Sequence, residues 1–125
     1  MVDGAKLQRF EDLTVWQESQ NLAVLIYTVT RSFPAGEKFG LVNQLRRAAS
    51  SISANIAEGF GHSSTKDKLH FYTIAYRALL EVKSFTYLAE RLEFINQSDV
   101  EKTIEQIHSC QKLLNALSSK TKVRP

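Results

Sequence analysis

Between Gly40 and Gly61 the chain reads GLVNQLRRAASSISANIAEGFG, with its apolar positions three and four residues apart. On a helix of 3.6 residues per turn, Leu41, Leu45, Ala48, Ala49, Ile52 and Ile56 form one apolar stripe, which predicts a helix buried on that side. Gln44, Arg47, Ser51, Asn55 and Glu58 form a second stripe along one flank. Surface stripes are ordinarily rich in Lys and Glu. This one alternates short hydroxyl or amide side chains with single charges, a composition suited to close, hydrogen-bonded contact with another helix, against the simpler reading of a solvated flank.

The same periodicity recurs before and after. Thr14 to Gln17 has the spacing of a capping box, and Val15, Leu22, Leu25, Ile26, Val29 and Phe33 give the helix that follows its inner face. Pro34 ends it, because the residue before a proline is pushed out of helical geometry. The second helix is expected to close at Gly59, since Gly59 and Gly61 stand where a left-handed residue ends a helix. Ser64 with Asp67 opens a long third helix whose seam is Phe71, Ala75, Ala78, Val82, Phe85, Ala89 and Leu92. Beside that seam lie Leu69, Tyr72, Tyr76, Leu79, Leu80, Tyr87 and Leu88, more than one bundle core absorbs, so part of this helix is expected to pack on another subunit. Ser98 to Glu101 opens a fourth helix with Val100, Ile104, Ile107, Leu114 and Leu117 inward and Cys110 and Leu113 beside them. The fold expected is all-α, an antiparallel up-and-down four-helix bundle with helices near residues 14–33, 38–59, 65–93 and 99–118. Residues 1–9 lack periodicity and read as a loose arm, residues 10–118 as the bundle, and residues 119–125 as a mobile basic tail.

Composition narrows the class. A chain of 125 residues with 43% apolar and 23% charged positions holds one domain with a real core, and is neither disordered nor fibrous. The net charge of +3 permits an acidic partner without requiring one. Cys110 is the single cysteine and has no internal disulfide partner, MVDGAKLQRF lacks the apolar core of a signal peptide, and no apolar run approaches the roughly 20 residues that span a bilayer. A cytoplasmic protein without membrane partners is expected.

Catalytic chemistry finds little footing. Asp67-x-x-His70 and Glu105-x-x-His108 resemble the carboxylate-x-x-His pairs of di-iron bundles, with Glu18 and Glu58 as the remaining carboxylates. Antiparallel packing opposes this, since His108 falls opposite about Val82 to Phe85, roughly 20 Å along the axis from His70, and Glu105 points away from the inward stripe. Cys110 as a nucleophile needs a base, and His108 two residues before it projects from another face, so a buried apolar role is expected. No strand-turn-helix elbow and no Gly-rich phosphate loop is present. Neither metal, cofactor nor catalytic residue is therefore expected.

The basic residues admit two readings. In a hairpin of the second and third helices closing near Gly61, Arg47 is expected level with Arg77 to Glu81, with Arg46 one residue back. Arg46, Arg47 and Arg77 then cluster, partly neutralised by Glu81, while Lys66 and Lys68 crown the other end and Lys120, Lys122 and Arg124 follow on the tail. Repeated around a symmetric assembly, these groups would make a surface that binds RNA phosphates with little sequence preference. The alternative is structural, with Arg47 paired to Glu81 or Glu58 between helices. Glu58 sits at the negative end of its helix and needs a partner from outside it.

The runs FEDLTVWQ, YTVTRSFPAGEKFGLVNQLRRAASSISANIAEGFG and FYTIAYRALLEVKSFTYLAERL resemble the four-helix-bundle family of the 23S rRNA intervening-sequence proteins, over about Phe10 to Leu117. Its most specific part is Phe33, Pro34, Glu37, Phe39, Gly40 and Leu41, followed by Gln44 to Ala48, then Ser51, Ile52 and Asn55-Ile56-Ala57-Glu58-Gly59, with Phe71, Ala75 and Glu81 in the next helix. Relatives often carry Arg where this chain has His62, and Gly-Ser where it has Arg77-Ala78. The resemblance implies a small cytoplasmic bacterial protein that assembles as a ring, a homopentamer in relatives, and brings no catalytic residues. A more distant resemblance, to the accessory variability protein of diversity-generating retroelements, implies a basic pentamer working with nucleic acid or a nucleoprotein. Two functions follow as expectations: an oligomeric bundle that binds RNA weakly, or a protein-interaction scaffold that does not. A metal-binding bundle enzyme stands as the remote alternative.

Overall fold

Each predicted apolar stripe finds a neighbouring stripe in the computed structural model, which describes residues 9–123. The elements are α1 (Thr14–Thr30), α2 (Leu41–Gly61), α3 (Thr65–Arg91) and α4 (Gln97–Lys122), with no strand among the described residues. Each helix packs on its neighbours in sequence and α4 closes on α1, while the diagonal backbones stay apart. This is the all-α antiparallel bundle that the spacing predicts. Its centre is built from Leu22 and Ile26 of α1, Leu45, Ile52 and Ile56 of α2, Tyr72, Leu79 and Val82 of α3, and Ile107 and Leu114 of α4. Burying one such aliphatic side chain contributes about 1.5–3 kcal/mol, so the four stripes acting together fix which faces turn inward.

Helix ends depart from expectation for identifiable reasons. The box at Thr14 does not form: Leu13 stands at the N-cap without a side-chain cap, after a 3-10 turn over Phe10–Asp12, and the Gln17 amide donates instead to the Glu11 carbonyl at 2.8 Å. The buried Leu13 and the edge-on Phe10 and Trp16 rings, 5.3 Å apart, hold this end by apolar packing. α1 stops at Thr30, short of residue 33, which frees Phe33 to leave the helix axis and pack against Phe94. α2 starts at Leu41, not near residue 38, after a second 3-10 turn over Ala35–Glu37, and the Glu37 carboxylate accepts from the Leu41 N–H at 3.2 Å. Ser64 caps α3 through the Asp67 N–H as its sequence predicts.

The left-handed residue lies elsewhere than expected. α2 continues to Gly61, and none of the described glycines has positive φ. Glu93 does, at φ 61°, where α3 ends after Arg91. Its N–H donates to the Glu90 carbonyl and the Phe94 N–H reaches back to Ala89, the paired hydrogen bonds of a Schellman motif. The chain then leaves toward Asn96, which caps α4 in place of Ser98, its side chain accepting from the Asp99 N–H at 2.8 Å. α4 persists to Lys122, so the expected mobile tail is helical there, with Thr121 buried and bonded to the Leu117 carbonyl. Residues 1–8 of the expected arm, and Arg124 and Pro125 of the tail, lie outside the described residues.

Candidate assembly and nucleic-acid surfaces

The α2–α3 hairpin sets the geometry of every surface residue singled out by sequence. The two helices lie close at Gly59, where an added Cβ would lie 2.8 Å from the Tyr72 ring and 3.0 Å from the Phe71 Cβ. Gly59 is thus a contact residue inside the helix, not a helix stop. Tyr72 is almost wholly buried, its hydroxyl has no hydrogen-bond partner, and burial pushes that hydroxyl up to about 12. Extending the Gly59–Tyr72 contact along two antiparallel helices of equal rise sets Arg47 level with about Ser84, roughly 10 Å along the axis from Arg77. Arg47 is therefore about a turn further from Arg77 and Glu81 than its sequence position suggests.

The polar stripe divides in two. Gln44, Arg47 and Glu58 are exposed, whereas Ser51 and Asn55 are half-buried and bond their own helix, Ser51 to the Ala48 carbonyl and Asn55 to the Ser51 carbonyl, each at 2.8 Å. Among the described residues the ion pair expected between Arg47 and Glu81 or Glu58 does not form; the pair that does is Arg9 with Glu11. Arg47 projects from the outer face of α2, and Glu58 stands too far along the same helix to reach it.

Two of the five candidate nucleic-acid residues carry structural duties. The Arg46 guanidinium donates to the Thr30 hydroxyl at 3.0 Å and the Tyr27 carbonyl at 3.3 Å, and lies over the Tyr27 ring at 4.6 Å. It thereby satisfies the carbonyl end of α1, where a cation is favoured by the helix dipole. Lys68 does the same for α2, donating to the Phe60 carbonyl at 2.7 Å with its ammonium over the Phe60 ring. Arg47, Lys66 and Arg77 remain exposed. Beside Lys66, at the α2–α3 turn, His62 stacks on Phe71 and His70 meets the same ring edge-on.

The second apolar surface of α3 is partly internal. Tyr72 and Leu79 belong to the core, but Leu80 (46% exposed), Tyr87 (42%), Leu88 (45%) and Leu92 (47%) remain outside. Leu92 therefore leaves the inward seam assigned to it. Leu69, Tyr76, Leu80 and Tyr87 share the flank toward α4, and Leu88 and Leu92 turn to the opposite flank. Tyr87 opens onto a groove between α3 and α4 of about 590 Å³, whose floor includes Val100 and Ile104 and whose rim carries Glu90, Glu101 and Glu105.

The polar crossings between helices had no signal in the sequence. The Gln106 amide of α4 donates to both the backbone and side-chain oxygens of Glu18 on α1 at 2.9 Å, so Glu18 serves a helix contact. Gln20 donates to the buried Ser53 hydroxyl at 2.8 Å. Cys110 is fully buried with the Ser19 hydroxyl 3.9 Å from its sulfur; burial pushes the thiol up to about 11, with the Glu18 charge adding to the rise and Ser19 opposing it. A thiol held in that form is a poor nucleophile. Among the described residues no three His, Cys, Asp or Glu side chains gather as a metal site, and no helix is long and apolar enough to cross a membrane.

No curated protein matches the sequence. A solved structure, that of a protein of unknown function from the S23 ribosomal protein family of Bacteroides thetaiotaomicron VPI-5482, is similar with a TM-score of 0.77 and 26% identity, over 84% of this chain and 95% of that one. The family model described as 23S rRNA-intervening sequence protein matches residues 11–116, nearly the whole bundle. With the fold and that match in agreement, the chain belongs to the 23S rRNA-intervening sequence protein family.

Proposed function

We propose that this protein is a non-enzymatic homo-oligomer of the bacterial cytoplasm, pentameric as the resemblance implies, whose exposed basic groups, repeated by symmetry, hold RNA or a nucleoprotein weakly. The observation that carries the assembly half is the set of large apolar side chains left outside the core on α3, namely Leu80, Tyr87, Leu88 and Leu92. Leu80 and Tyr87 share one flank, and apolar side chains exposed together mark an interaction surface. The nucleic-acid half rests on Lys66 and Arg77, which are exposed and carry no ion pair among the described residues, and on the family's link to 23S rRNA.

One observation favours the competing reading of a protein scaffold without RNA: Arg46 and Lys68 are already engaged by helix ends, which thins the basic surface. A gel shift with structured RNA, run across salt concentrations, separates the two. The RNA reading expects binding at low salt that weakens as salt rises, because released counterions drive phosphate contacts. Absence of any shift at low salt removes it. Light scattering of the purified chain tests assembly independently, and a mass of one chain removes that half.

A further inference from the structure

Two faces of the bundle complement one another. The first is the α3–α4 groove, with Tyr87, Val100 and Ile104 at its floor and Glu90, Glu101 and Glu105 on its rim, continued along α3 by the exposed Leu80. The acidic rim repels phosphate, so RNA does not fit this groove. The second is the outward face of α2, where Ser50, Ala54 and Gly61 are exposed, Ala57 is half-exposed, and a Cβ built on Gly61 meets nothing within 4 Å. Side chains this small let another helix pair approach to the 8–10 Å of ordinary helix packing.

Charge joins these faces and sets their register. Arg47 stands exposed on the N-terminal half of α2 without an ion pair among the described residues. In an antiparallel bundle that half shares one end of the molecule with the C-terminal half of α3 and the N-terminal half of α4, which carry Glu90, Glu101 and Glu105. Glu58, exposed toward the other end of α2, lies at the end approached by Lys112 on the groove's far side. Positive therefore meets negative in one half of the bundle, and negative meets positive in the other.

We infer that the α3–α4 groove of one subunit receives the α2 face of a second copy of this chain, in a head-to-tail contact with Arg47 against the glutamate rim. The inference rests on the assembly reading above and specifies which faces mate. Two different faces meet, so the contact is heterologous and repeats from one copy to the next.

The test uses two variants that each block one face at exposed positions. Ala54→Trp obstructs the α2 face; Leu80→Lys with Tyr87→Lys spoils the groove and repels Arg47. Circular dichroism melting checks that each remains folded, and light scattering reads the mass. Each variant alone is expected at the 14.2 kDa of one chain. Their equimolar mixture is expected to give a heterodimer of twice that mass and nothing larger, because only one intact pair of faces remains. Arg47→Glu is expected to weaken assembly at least tenfold, and Glu101→Arg with Glu105→Arg in the same chain to restore it. An assembled wild type whose blocked variants keep their mass, or whose mixture stays monomeric, overturns the face assignment while leaving assembly intact. A monomeric wild type overturns both.

Discussion

At Gly59 the α2–α3 contact depends on a side chain that is missing, whereas α1 and α4 meet through polar side chains in contact, Gln106 onto Glu18 and Ser19 onto Cys110. The first contact is limited by volume. Ring atoms of Tyr72 already occupy the space that a Cβ needs, so this site fails when atoms are added. The second is limited by hydrogen bonding and fails when atoms are removed, because half-buried polar groups lose partners that water replaces only in part. One bundle thus carries two seams with opposite sensitivities.

Substitutions break the comparison in order of size. Gly59→Leu is expected to destabilise by about 3 kcal/mol or more, because a rigid aromatic wall and the α3 backbone behind it must both move; urea unfolding reads this, and a midpoint near wild type would show that the helices separate easily. Gly59→Ala is expected to cost about 1–2 kcal/mol, overpacking outweighing the roughly 1 kcal/mol that alanine gains in a helix; a more stable variant would make the close contact incidental. On the other seam Gln106→Ala is expected to lose about 1 kcal/mol, with Gln106→Glu no better because it faces the Glu18 carboxylate.

The remaining two sharpen the comparison by gain. Glu93→Gly, in the turn joining α3 to α4, is expected to stabilise by about 0.5–1 kcal/mol, since glycine adopts positive φ without the penalty of a Cβ. A loss there would mean that the Glu93 side chain does more than endure strain. Tyr72→Phe is expected to be neutral or stabilising by less than about 1 kcal/mol, because it removes a buried hydroxyl with no partner. It also changes the response to alkali. Tyr72 titrates near 10.0 when unfolded and about 12 when folded, so the native state keeps its proton over that window while the unfolded state loses it. Stability is intact below pH 10.0 and declines toward about pH 12, and Tyr72→Phe is expected to flatten that decline relative to wild type. Parallel pH profiles of the two proteins would refute the assignment.

What was legible in the sequence was local or periodic. The stripe from Leu41 to Ile56 is buried as its spacing predicts, and Ser64 caps α3 through the Asp67 N–H three residues on, as the local pattern predicts. Asn96 and Ser98 are both competent caps two residues apart. The Schellman turn at Glu93 decides between them by fixing the direction in which the chain leaves α3. Arg46 and Arg47 are adjacent and chemically identical, yet a rotation of 100° per residue aims one at the end of α1 and the other into open space.

By itself, then, the sequence determined the number of helices, their inward faces and the antiparallel order, because hydrophobic burial sums over many residues and tolerates error at any one of them. Only the tertiary structure decided the use of single residues: Gly59 as a contact, Arg46 and Lys68 as helix-end partners, Leu80 and Tyr87 as two of the apolar groups left outside. Each of those outcomes turns on one or two ångströms between neighbours distant in the chain, a quantity that periodicity does not encode.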